Sequence, residues 1–199
     1  MCSIAEALTA FAALATATIA FMGLHSWRRE MLGRRKSELA EKVLSEFYEA
    51  RDLIRWVRFP GAFKGEGSTR EPTNDETDEE TRTLNALYVP IERLNSKAKF
   101  FSSFEARRYR FAAVFGKDAA KHFDTIINCH NKIGRAAGAL IRSRRDQMRG
   151  RAPISDKTRE RFEEWIGWGL DEQDEFQHEL DAAVAAIEKI YRPAIEGSV

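Results

Sequence analysis

The side chains able to do chemistry are few and scattered. The chain holds four histidines, His25, His122, His130 and His178, and two cysteines, Cys2 and Cys129. Glu175 and His178 form one Glu-x-x-His pair, the unit with which di-iron bundles hold metal. Those bundles need two such pairs and carboxylates from two further helices. No second pair is present, so neither a metal site nor a cofactor is expected. Cys129 beside His130 has the composition of a thiol and its base, yet neighbours on a helix point in different directions. A buried Cys129 acting as a small apolar residue is the expected outcome. Without a glycine-rich phosphate loop, nucleotide chemistry has no support either. No catalytic residue is expected, and the chain reads as a non-enzyme.

Residues suited to binding are more prominent. Charge is segregated: residues 101–152 carry a balance of +8 and residues 153–199 a balance of −7, although the whole chain is only +1. The arginines concentrate at Arg142, Arg144, Arg145, Arg149 and Arg151. Three uses of them are open. The leading one is mutual neutralisation by an acidic helix alongside; the others are anionic lipid and, as the alternative function, nucleic acid, for which no recognised motif accompanies the arginines. The aromatics between Phe100 and Phe115, interleaved with Arg107, Arg108 and Arg110, fit helical spacing better than a base-stacking surface. Arg108 falls on the inward seam, which calls for a semi-buried acidic partner, expected from the last helix. Trp165 and Trp168, with Ile166 and Leu170 and flanked by glycines, are the remaining candidates for a partner-docking anchor, against core packing at the end of a bundle.

These groups must be positioned by helices. At 199 residues, 43% hydrophobic and 32% charged, the chain can bury one core. Two cysteines exclude a disulfide framework and fit a reducing compartment. No alternating strand pattern occurs. Leu39, Val43, Phe47 and Ile54 recur at helical spacing over about 27–59; Leu87, Ile91, Leu94, Phe101, Phe104 and Phe111 over about 75–115, with Pro90 expected to kink that helix or mark its start. Phe123, Ile126, Ile133, Ala137 and Leu140 mark about 118–148. A fourth helix, over about 156–191, is capped by Ser155, stopped by Pro193 and open to interruption between Trp165 and Leu170. A polar stretch with six acidic residues among positions 71–80 reads as an exposed acidic loop over about 60–80.

The amino-terminal segment is of another kind. Ala7–Leu24 holds 18 residues without a charge, about 27 Å of helix, close to the hydrocarbon thickness of a bilayer. Nothing basic precedes it, whereas Arg28, Arg29, Arg34, Arg35 and Lys36 follow. A cleaved signal peptide has the opposite order. The positive-inside bias then puts the amino terminus outside and everything after Trp27 in the cytoplasm. With only seven strongly apolar side chains, insertion is favourable by only a few kcal/mol. Small residues recur every fourth position along Ala5, Thr9, Ala13 and Ala17, a spacing that lets two helices approach closely in lipid or that merely tolerates Ala and Thr.

The stretch WRREMLGRRKSELAEKVLSEFYEARDLIRWVRFPGAF from Trp27, with GEGSTRE at Gly65–Glu71 and the closing YRPAIEG, resembles a set of uncharacterised bacterial proteins with an amino-terminal anchor and a helical domain. The resemblance implies a bacterial inner membrane and supplies no activity or site residue. The expectation is an all-α chain: residues 1–26 form a single transmembrane anchor that continues into an antiparallel four-helix-type bundle over 27–199. Its expected role is a membrane-tethered scaffold or protein-interaction module, with the lipid bilayer and a protein partner or second copy as its company.

Overall fold

The computed structural model describes the backbone of residues 4–167 and 174–196 and the side chains of residues 8–167 and 174–193. Every regular element among them is a helix: α1 (Ile4–Val57), α2 (Asp78–Ser96), α3 (Ala98–Phe115), α4 (Lys117–Met148), α5 (Asp156–Ile166) and α6 (Glu175–Glu196). The chain forms two compact units, one of Met1–Lys42 with Tyr191–Val199, the other of Val43–Ile190.

Local chemistry explains most of the boundaries. α2 opens with a capping box: Glu80 N donates to Thr77 Oγ1 and Thr77 N donates to Glu80 Oε2 at 2.8 Å. Asp78, Glu79 and Glu80 add negative charge where the helix dipole is positive. Ser155 caps α5, as expected, by accepting from Thr158 N. Gly116 joins α3 to α4 at φ 93°, a conformation that costs a side chain but not glycine.

Two expected boundaries are corrected. The helix expected over 75–115 is two helices, and the break is not at Pro90, which lies inside α2, but at Lys97. Ser96 Oγ donates to Arg93 O at 2.7 Å, occupying the carbonyl that the Lys97 N–H would take, and Lys97 N turns instead to Leu94 O at 3.0 Å. A side chain has out-competed the helical ladder. Pro193 does not stop the last helix, since α6 continues to Glu196. The interruption left open between Trp165 and Leu170 does occur: α5 ends at Ile166, Gly167 is extended, and α6 starts at Glu175. Trp168, Gly169 and Leu170 lie outside the described residues.

The second unit has its own core, with α4 packed against α2, α3 and α5. At its centre the Phe123 ring meets Phe47 at 4.8 Å, Phe104 at 4.7 Å and Phe111 at 5.3 Å, and Phe47 meets Phe104 edge-on at 5.0 Å. Such tilted ring pairs add about 0.5–1.5 kcal/mol each beyond the area they bury. Ile54, Leu84, Ile126, Ile133, Leu180 and Ile187 surround them, fully buried. Tyr48, whose hydroxyl donates to Glu188, ties α6 to α1, and Arg107 pairs with Glu46 at 2.7 Å to tie α3 to it. Leu84 and Val89 are buried where Leu87 and Ile91 are only half-buried, so the seam of α2 is rotated slightly from the expected one.

Candidate functional site

The amino-terminal part of α1 is the one helix among the described residues long and apolar enough to cross a membrane, and its most apolar window is wholly exposed. Phe11 is 73% accessible and Phe21 70%, and Leu8, Leu14, Ile19, Met22 and Leu24 are exposed beside them. By length and composition such a helix fits either a membrane span or a signal sequence. The polar groups within it are turned inward: Thr16 Oγ1 donates to Ala12 O and Thr18 Oγ1 to Leu14 O, each at 2.8 Å. Thr9, Ala13 and Ala17 share this exposed stretch; the side chain of Ala5 lies outside the described residues.

Immediately after it come Trp27, 57% accessible, and a belt of charge. Arg34 pairs with Glu30 at 3.4 Å across one helical turn. Arg28, Arg29, Arg35 and Lys36 are exposed and make no ion pair among the described residues.

The other charged candidates are drawn into the fold. Arg145 pairs with Glu76 at 3.2 Å, Arg149 with Asp75, and Arg151 with Asp146 at 3.5 Å. Glu76 is also gripped by Arg70 at 2.5 Å, and both of those side chains are at least 94% buried. The Arg70 hydrogen bond holds the Glu76 carboxyl down at about 2. The expected neutralisation by the last helix is corrected here: the partners of Arg145 and Arg149 lie just before α2, about 70 residues earlier in the chain, and that of Arg151 lies in α4 itself. The capped start of α2 holds those carboxylates against the end of α4. Lys132 pairs with Glu179 at 2.5 Å, joining α4 to α6. Arg144 donates to Gln147 at 2.8 Å, and Arg142 is exposed. Arg108 does meet a carboxylate, but it is Asp124 of α4 rather than a residue of the last helix.

Two buried arginines organise the loops. Arg93 donates to the carbonyls of Trp56, Phe59 and Gly61 and to both oxygens of Glu66, fixing the chain beyond α1. Arg58 grips both oxygens of Asp174 and the carbonyls of Glu164 and Trp165. Trp165 is half-buried, with its ring 5.5 Å from Phe162 and under Arg161 and Lys132. Trp168 lies outside the described residues. Arg58 and Arg93 were not singled out from the sequence. For Arg93 the available signal was a charge on an inward seam, between Val89 and Leu94, the same clue that singled out Arg108.

A shallow groove of about 360 Å³ runs where α2 and α3 meet α4, lined by Leu94, Asn95, Phe101, Glu105, His130 and Asn131 among others. The His130 ring lies tilted against Phe101, with centroids 4.4 Å apart, and burial holds its basicity below the ordinary histidine value. Cys129 is buried, as expected, and its thiol is pushed up to about 12 by burial, which disfavours the thiolate. Among the described residues no three metal-ligating side chains converge. The geometry therefore offers an apolar, belted helix and a tightly salt-bridged helical unit.

Compared with protein-family models, curated proteins and solved structures, the chain matches none.

Proposed function

We propose that this protein is a membrane-tethered, non-catalytic helical scaffold or protein-interaction module, whose amino-terminal helix spans a bacterial inner membrane once and whose helical unit is displayed in the cytoplasm. The observation that carries the reading is the bare apolar surface of α1 from Leu8 to Leu24, bounded on one side by Trp27 and a belt of cations. Lipid removes that surface from water, and a helix satisfies its own backbone polar groups inside hydrocarbon. The outside position of the amino terminus rests on the basic flank following the span. Association through Thr9, Ala13 and Ala17 with a second copy or another helix is part of the reading, since small side chains permit close approach in lipid. Nucleic acid is a poor fit for Arg145, Arg149 and Arg151, whose charge is already engaged by carboxylates.

The test is fractionation followed by crosslinking. The full chain should stay in the membrane pellet through an alkaline carbonate wash and leave it only with detergent. Crosslinking in intact membranes should then yield a dimer or a discrete partner. Protein in the supernatant without detergent would overturn the tether, and monomers alone with no partner would overturn the scaffold.

A further inference from the structure

The belt that follows the span is not evenly distributed around α1. At about 100° per residue, Arg28, Arg29, Arg35 and Lys36 fall within roughly 120° of the helix circumference, while Glu30 and Arg34 fall on the opposite side. The opposite side is neutralised by its own ion pair. The four cations are exposed and have no ion pair among the described residues. Seven residues separate Arg28 from Arg35 and Arg29 from Lys36, about two helical turns, so the face consists of two tiers roughly 10 Å apart along the axis.

We infer that this face is a binding site for anionic phospholipid headgroups, graded by depth. The inference rests on the membrane-span reading of α1, but not on the direction in which the span is inserted. With the hydrocarbon edge near Leu24, Arg28 and Arg29 lie about 6–8 Å further along the axis, within the headgroup layer. Helix side chains lean back towards the amino terminus, which aims these two guanidiniums at the phosphates. Arg fits a phosphate bidentately. Arg35 and Lys36 lie about 16–18 Å from Leu24, outside the headgroup layer, and act on the lipid through the surface potential, which decays over about 8 Å at physiological salt. Trp27, exposed at the junction, sets the depth as an interfacial aromatic. The occupant is a lipid rather than a soluble polyanion because the tier nearest the apolar stretch carries the two arginines and is within headgroup reach.

The experiment uses the full chain reconstituted into phosphatidylcholine vesicles containing spin-labelled phosphatidylglycerol or spin-labelled phosphatidylcholine, with electron spin resonance reading the lipid held at the protein surface. The wild type should prefer the anionic label by about fivefold or more at low salt, since each cation near the surface is worth about that factor. The preference should shrink in about 1 M salt, where the screening length falls to about 3 Å. The double variant R28Q/R29Q should bring it to unity in about 1 M salt and leave only about the twofold preference of the outer tier at low salt. R35Q/K36Q should lower it by about half at low salt and leave it unaltered at high salt, and E30Q/R34Q should leave it unchanged throughout. Equal binding of the two lipids by the wild type, or a preference that survives R28Q/R29Q in about 1 M salt, or equal losses from the two tiers, overturns the inference. Failure of the span itself reads differently: the protein would then not incorporate into the vesicles at all.

Discussion

Glu76 shows what a single carboxylate does in this molecule. It is 5% exposed, accepts from Arg70 and Arg145, and so links the chain before α2 to the end of α4. Replacing it with Gln leaves two guanidiniums facing a neutral amide, and breaking a buried pair costs about 3–5 kcal/mol. E76Q should lower the denaturant midpoint accordingly, with the slope of the transition unchanged. The pH dependence has a definite sign. The folded carboxyl titrates at about 2, below its ordinary value of 4.5. Its contribution is therefore complete above pH 4.5 and is lost as pH falls through about 2. Wild-type stability should drop across that window, and E76Q, which has no proton to take up, should show a flatter profile in acid titrations followed by circular dichroism. The burial of Cys129 was legible in the sequence: it is a core residue because its neighbours at helical spacing, Ile126 and Ile133, are core residues. The partners of the arginines were not legible, because Glu76 and Arg145 are 69 residues apart and charge along a chain does not say which segments fold together.

At the scale of elements, apolar spacing carried the reading. Phe123, Ile126, Ile133, Ala137 and Leu140 are buried on α4 at the expected three- and four-residue steps, and Val43, Phe47 and Ile54 on α1 likewise. Because Phe123 touches rings from α1 and α3, Phe123→Ala should cost about 3–5 kcal/mol, seen as a lower thermal midpoint and loss of near-ultraviolet aromatic signal while most helical signal persists below that midpoint. The breaks between helices were harder to read. Pro90 looked like the natural interruption, but a proline removes only one donor, whereas Ser96 captures the carbonyl of Arg93 and diverts the next N–H. A serine hydroxyl folding back on its own helix leaves no mark in hydropathy, so that boundary could not be placed from spacing.

For the molecule as a whole, the apolar end of α1 was the most legible feature, being defined by length and absence of charge alone. In the proposed membrane span, weak hydrophobicity makes the tether sensitive to one substitution. Leu14→Arg places a charge near the middle of the span at about 2.5–3.5 kcal/mol, comparable to the whole insertion energy. It should move much of the protein from the membrane pellet to the supernatant in the fractionation assay, whereas Leu14→Ile should not. Thr16 and Thr18 add a further consequence. Their hydroxyl protons are already donated to Ala12 O and Leu14 O, so neither can donate to a neighbouring helix, and the same stretch of a second copy brings no free donor for them to accept from. Any pairing that relies on this part of the span would be held by surface fit alone, a shallow, easily reversed attraction that tracks side-chain bulk at Ala13 and Ala17 and is indifferent to exchanging either threonine for valine.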